Sequence, residues 1–306
     1  MAENKPVVYI PDNGRKKSSQ KKNKRIANTV IYVILTLISI IWIFPFILIV
    51  LESFRESPMS QVGNPFTQTV AGRDPYVWGI GNYTSLFTDT NFGRWYLNTF
   101  IIAVATAILQ TVIVLCMSYT LSRSRFKGRK LLMNLMLVIG MFPGFLTLLV
   151  IYNLLKDINL IGVNAVPGLI LVYIASSGMG YHVSKGFFDT VPKALDEAAR
   201  IDGANRAQVL YKIILPMAKP IVIYTILTAF MAPWADFVLA RYIAGTKTDG
   251  YNVAIGLYVF LDKAQIGTHY TQFCAGGVLV ALPVTILFMF LQKYYVEGVT
   301  GGAVKG

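Results

Sequence analysis

Six stretches of this chain, at about 27–51, 96–121, 131–155, 164–184, 220–243 and 270–293, are apolar over lengths that water does not favour. Each matches the ~20 residues that a helix needs to cross the hydrocarbon core of a bilayer. The fold class expected is therefore an all-α membrane protein with six transmembrane helices. Composition agrees: 55% of the 306 residues are hydrophobic and 14% are charged, against about a quarter charged in soluble domains. The first run exceeds a signal-peptide core and is followed by "LESFRESPM" instead of a small-residue cleavage site, so it reads as an uncleaved helix.

Net charge is +13, which in a soluble chain would suggest nucleic acid as a partner. Here the bases sit beside the spans, in "RKKSSQKKNKR" before the first, "RSRFKGRK" between the second and third, and along 185–219 between the fourth and fifth. With Lys5, Lys293 and Lys305, these segments hold 21 of the 28 Lys and Arg residues on one side. Basic loops are retained in the cytoplasm, so both termini are expected inside and no nucleic-acid partner is expected. Residues 1–25 are polar and basic, and are expected to be a disordered cytoplasmic tail that touches the membrane surface at most. The connections 52–95, 156–163 and 244–269 then lie outside, the first as a small folded cap or a re-entrant surface. The sequon at Asn82 is read as chance.

Pro143, Pro233 and Pro283 fall inside three of the spans. A proline removes one backbone bond and kinks a membrane helix, and three kinked spans suit a bundle that opens and closes. Cys116 and Cys274 lie in apolar runs without metal-ligand spacing and read as packing residues. Asp236 is the one acid deep in a span, in the outer half of the fifth, and a weak candidate for the translocation pathway. Arg241 is close enough in sequence to pair with it, and a bond at a helix end is an equal alternative.

The segment 190–216 between the fourth and fifth spans contains "EAARIDGANRAQVLYKIILP". Thr190 is expected to cap a helix with Pro192 in its first turn, and that helix should stop at Gly203. Asn205 and Gln208 have the spacing of an N-cap and its third-residue partner, which starts a second helix. That helix should end before Pro216, and Pro220 opens the next span. The result is an elbow with small residues at Ala198, Ala199, Gly203, Ala204 and Ala207, and with Glu197 and Asp202 as acceptors for basic groups. It holds no nucleophile–base pair, metal cluster or phosphate loop.

This stretch resembles the EAA loop of ATP-binding-cassette importer permeases through Glu197, Ala198, Ala199, Asp202, Gly203, Ala204, Ile213, Leu215 and Pro216. The resemblance extends over roughly 82–306. "GMFPG" at 140–144 and "WADF" at 234–237 look like elements of the carbohydrate-importer branch, although Ala235 stands where that branch usually has Asn. It implies that Glu197, Ala198, Ala199, Asp202, Gly203, Ala204, Leu215 and Pro216 dock on an ATPase subunit. It also implies that the 298–306 tail, through Gly301, Gly302, Ala303, Val304, Lys305 and Gly306, reaches between two such subunits, and that the permease domain spans 26–297. The loop residues Lys247, Thr248, Asp249, Gly250 and Tyr251 correspond to a segment that touches the binding protein.

As a member of that branch the chain would be a non-enzymatic permease subunit in a bacterial plasma membrane. The implied partners are a second permease, two copies of an ATP-binding subunit, an extracellular sugar-binding lipoprotein and membrane lipid. No cofactor would be bound by this chain, since ATP and Mg would sit on the partner. The cargo implied is an oligosaccharide of the malto-oligosaccharide type. The rival class is a self-sufficient, ion-coupled secondary transporter, which needs ionisable residues at mid-membrane and an internal repeat of helices. Asp236 is the only acid of that kind in the apolar runs, and no repeat is visible.

Overall fold

A computed structural model describes residues 14–56, 78–141, 144–176, 178–262 and 266–303. The chain divides into two compact units, Met1–Leu51 and Glu52–Gly306. The first is a helix, α1, which starts at Gly14 and is continuous through Ser53. The basic run at 15–25 is thus helical instead of disordered. Lys, Arg and Gln are good helix formers, and a helix nucleated in the apolar segment propagates into them without interruption. Residues 1–13 lie outside the described residues. Side chains from Ile26 to Phe46 are exposed around α1, including Ile31, Tyr32, Ile41 and Trp42. A helix apolar on all sides is suited to lipid.

The second unit holds α2 (Gly81–Thr88), α3 (Phe92–Arg123), α4 (Arg129–Gly140), α5 (Gly144–Asp157), α6 (Ala165–Ala175) and α7 (Gly178–Thr190). There follow α8 (Lys193–Ile201), α9 (Arg206–Val209), a π turn (Leu210–Ile214), α10 (Leu215–Met217) and α11 (Lys219–Ala235). The unit closes with α12 (Val238–Ala244), α13 (Val253–Phe260) and α14 (Ile266–Ala303). No named strand occurs among the described residues.

Three helical segments are long and apolar enough to cross a bilayer singly, Asn23–Ser53, Phe92–Arg123 and His269–Lys293. They match the first, second and sixth runs. The other three runs are broken where the hydropathy pattern is continuous. The third is divided between α4 and α5, with Pro143 itself outside the described residues. The fourth is divided between α6 and α7, where Ser176 Oγ bonds back to Val172 O at 2.6 Å and the small, polar "SSG" offers no helical support. The fifth ends at Ala235, two residues after Pro233, and resumes as α12. Two bent pairs, 104° between Leu146–Asp157 and Gly162–Ala175 and 88° between Arg206–Met217 and Lys219–Ala235, bring the number of candidate spans to five if each pair counts as one.

Helix α3 is the centre of the second unit, packing most on α11 and then on α7 and α6. One core joins Phe92, Trp95, Ile102, Leu169, Trp234 and Ile255. A second, smaller core lies at the other end of α3 and includes Leu115, Tyr119, Phe188, Val209, Ile214 and Ile221. Cys274 is buried, whereas Cys116 lies on an exposed face of α3, so only the former packs inside the chain.

The described part of the 52–95 cap is built on Asn82. Its Nδ2 donates to Ser53 O at 3.0 Å and Arg55 O at 2.8 Å, and its Oδ1 accepts from Thr271 Oγ1 at 2.9 Å. The side-chain amide is buried and fully engaged, so it is no glycan acceptor. Residues 57–77 lie outside the described residues.

Candidate functional site

The elbow begins where α7 ends. Thr190 is the last residue of α7 and its Oγ1 donates back to Phe187 O at 2.7 Å, so it caps nothing. The N-cap of α8 is Pro192, with φ −58° and ψ 128°. Its ring fixes φ, and its extended ψ redirects the chain before Lys193 starts the helix. Helix α8 then ends as the glycine predicts. Gly203 has φ +86°, its N–H donates to Arg200 O at 3.0 Å, and Ala204 N–H donates to Ala199 O at 2.9 Å. These two bonds make a Schellman cap. A methyl group on Gly203 would meet nothing within 4 Å, so the requirement is conformational and not one of space.

Asn205 starts the next helix with a complete capping box: Gln208 N–H donates to Asn205 Oδ1 at 2.9 Å, and Asn205 N–H to Gln208 Oε1 at 2.8 Å. The helix does not stop before Pro216. Residues 210–214 widen into a π turn, with Leu215 N–H bonded to Leu210 O, and the chain stays helical through Met217. In α geometry the ring of Pro216 would crowd the carbonyl four residues back, and a wider turn just upstream relieves that conflict. The 88° bend then falls at Ala218, and Pro220 enters α11 in its first turn.

Part of what holds the elbow to the bundle lies outside its motif. Asp196, one residue before Glu197, turns inward and meets Arg123 at the end of α3, with Nε to Oδ2 at 2.8 Å and side chains 3% and 6% exposed. Arg123 Nη2 also donates to Val191 O at 2.8 Å, between α7 and α8. Beside it Asp189 accepts from Ser122 Oγ at 2.5 Å and pairs with Lys185 at 2.5 Å. Burial pushes the Asp189 carboxyl up, but Lys185, Ser122 and Arg129 together outweigh it and hold the group below the usual carboxylate range.

The docking residues expected from the sequence divide by face. Glu197, Ala198, Asp202, Gly203, Ala207 and Pro216 are exposed, and Ala204 and Leu215 are half-buried. Ala199, three residues from Asp196 on the same side of the helix, is 8% exposed and belongs to the smaller core. As folded, it offers a partner no surface. Sequence reasoning missed Ile201, which is 86% exposed at the tip of α8.

The other candidates lie elsewhere. Asp236 is in the break between α11 and α12, not inside a helix. Its Oδ1 accepts from Leu239 N at 3.1 Å and its Oδ2 from Tyr173 OH at 2.6 Å, a helix-end role. Arg241 bonds Tyr251 instead. Among the described residues the buried acids are Glu52 and Asp196, while Asp236 is half-buried. In the loop, Lys247, Thr248 and Asp249 are exposed, but Gly250 and Tyr251 are buried. Gly250 lies so near Gly162 O that a Cβ would come within 2.0 Å of it. Asn98 Nδ2 donates to Asp249 O and Tyr251 O, each at 2.9 Å, and Trp95 Nε1 to Thr248 O at 3.1 Å. Gly301, Gly302 and Ala303 continue α14, and Val304, Lys305 and Gly306 lie outside the described residues.

The described residues thus combine helices long and apolar enough to cross a bilayer with a polar elbow between α7 and α11. The family profile of binding-protein-dependent transport system inner membrane components matches residues 112–301, and the chain belongs to that family. It is 34% identical over 290 residues to the maltodextrin transport system permease protein MalD of Streptococcus pneumoniae, covering 94% of this chain and 99% of that one. It is 37% identical over 278 residues to the maltodextrin transport system permease protein MdxG of Bacillus subtilis, covering 90% and 95%. Among solved structures, a bacterial ABC transporter involved in the import of the acidic polysaccharide alginate superposes with a TM-score of 0.68 at 21% identity, over 89% of this chain and 98% of that one. That likeness is one of fold.

Proposed function

We propose that this chain is the permease subunit of an ATP-driven importer for an oligosaccharide of the maltodextrin type, and that the elbow receives the motion of an ATPase partner. The observation that carries the reading is the construction of α8. A Schellman cap closes its C-terminal end, Asp196 and Ala199 fix one face to the bundle, and Glu197, Ala198, Ile201, Asp202 and Gly203 remain open on the other. Such a piece cannot catalyse, but it can transmit a push. The cargo class rests on the two relatives, both maltodextrin permeases by name.

In this reading the basic loops place the elbow and both termini in the cytoplasm of a bacterium. The three broken runs each cross as one interrupted span, for six crossings. A second permease completes the pathway, two ATP-binding subunits carry ATP and Mg, and an extracellular sugar-binding lipoprotein delivers cargo. Exposed Lys247, Thr248 and Asp249 are the part of the loop left to meet that protein, and Gly301 to Gly306 reach toward the ATPase dimer. Asp236 serves the frame of the pathway by capping α12.

The test is copurification and uptake. Tagged wild-type chain should bring down an ATP-binding subunit, and vesicles holding the complex should take up maltodextrin only with ATP. Glu197→Arg should lose the subunit and the uptake together. Uptake by the purified chain alone, independent of ATP, would overturn the proposal.

A further inference from the structure

Helix α3 runs unbroken from Phe92 to Arg123 and is bonded at both ends. At the elbow end Ser122 holds Asp189, and Arg123 holds both Asp196 and Val191 O. At the other end Arg94 pairs with Asp249 at 2.6 Å, Trp95 holds Thr248 O, and Asn98 holds the carbonyls of Asp249 and Tyr251. The alternative route from the elbow is α11, which begins after the 88° bend at Ala218 and stops at Asp236. A helix transmits displacement along its axis only while its backbone ladder is continuous, and α3 meets that condition where α11 does not.

The buried joint is chemically unusual. Asp196 Oδ1, Arg123 Nη1 and Arg123 Nε have no hydrogen-bond partner, so the 2.8 Å approach of Nε to Oδ2 is a contact of charges. A buried pair satisfied in part contributes little net stability compared with well-packed apolar side chains. What it supplies is a link: Arg123 Nη2 donates to Val191 O while the guanidinium lies 2.8 Å from the Asp196 carboxylate on α8.

We propose that α3 is the connecting rod of the permease, that Arg123 and Asp196 are the positioning residues joining it to the elbow, and that it carries elbow displacement to the 248–251 loop at its far end. This rests on the elbow being the site that receives motion. It adds a route and two residues outside the docking motif.

The experiment uses the reconstituted complex with its ATPase subunits, with a spin label at Thr246→Cys, an exposed loop position, in a Cys116→Ser background. Two quantities are read: maltodextrin taken up per ATP hydrolysed, and the change in label mobility on trapping the nucleotide-bound state. Asp196→Asn and Arg123→Gln should each lower uptake per ATP by about fivefold or more and flatten the label response, with the ATPase subunits still copurifying. The exchanged pair R123D/D196R should recover both readouts. If it does not fold, Arg123→Lys, which keeps the charge and loses the planar fork, should give an intermediate response. Single variants that lower the melting temperature but leave uptake per ATP and the label response at wild-type values would overturn the rod and leave the joint a structural one. Absence of ATP-driven sugar uptake in the wild type would instead refute the importer reading, while the label response to nucleotide would still report on the rod.

Discussion

Gly203 shows how little chemistry the elbow needs at single positions. It has φ +86° with open space where a side chain would stand, so Gly203→Ala introduces backbone strain of about 1 kcal/mol or slightly more and no clash. The melting temperature of the solubilised chain should fall by about 2–4 °C, and Gly203→Asn should fall less, because Asn tolerates the left-handed region. Equal losses for the two variants would mean that space, not conformation, is limiting. Gly203 and the Asn205–Gln208 box are legible in the sequence because caps are rules about neighbours in the chain. Asp196 and Ala199 are not legible in this way. Which side of a nine-residue helix faces inward is decided by Arg123 and the end of α3, and no local pattern encodes a partner so distant in sequence. Thr190 failed as a cap for a related reason: its hydroxyl was taken by α7, and Pro192 supplied the turn.

Among the elements, the π turn at Leu210–Ile214 is the least expected and the most informative. The residue before a proline avoids helical geometry in general, yet the chain passes through Pro216 by lengthening its bonds upstream. Pro216→Ala restores an N–H and lets the segment rewind as α-helix, which removes the extra residue in the turn and rotates the bend at Ala218 relative to α8. Amide exchange over 206–217 should slow, and sugar uptake should fall although the segment is locally more stable. Slower exchange with unchanged uptake would show that the bend angle is immaterial to transport. The break at Ser176 was equally hidden, whereas the one at Asp236 follows just after Pro233, where a kink was expected. Hydropathy averages over about 20 residues and registers an apolar run as continuous, whereas Ser176 and Asp236 each bond locally and end a helix within it. The existence of the apolar runs was readable, and so was the joint near Pro233; the one at Ser176 was not.

At the scale of the whole chain, stiffness and openness are divided between different elements. Helix α3 is continuous and bonded at both ends, α11 is bent at one end and broken at the other, and α8 presents its outer face to whatever docks there. In the proposed function α8 is where force enters. The most direct test is a cysteine placed at Ala198 on the exposed face of α8, in the Cys116→Ser background, and crosslinked in native membranes with and without ATP. The account predicts a crosslink to an ATP-binding subunit whose yield changes with nucleotide. A label at that position accessible only from the far side of the membrane, or crosslinked to lipid alone whatever the nucleotide, would contradict it.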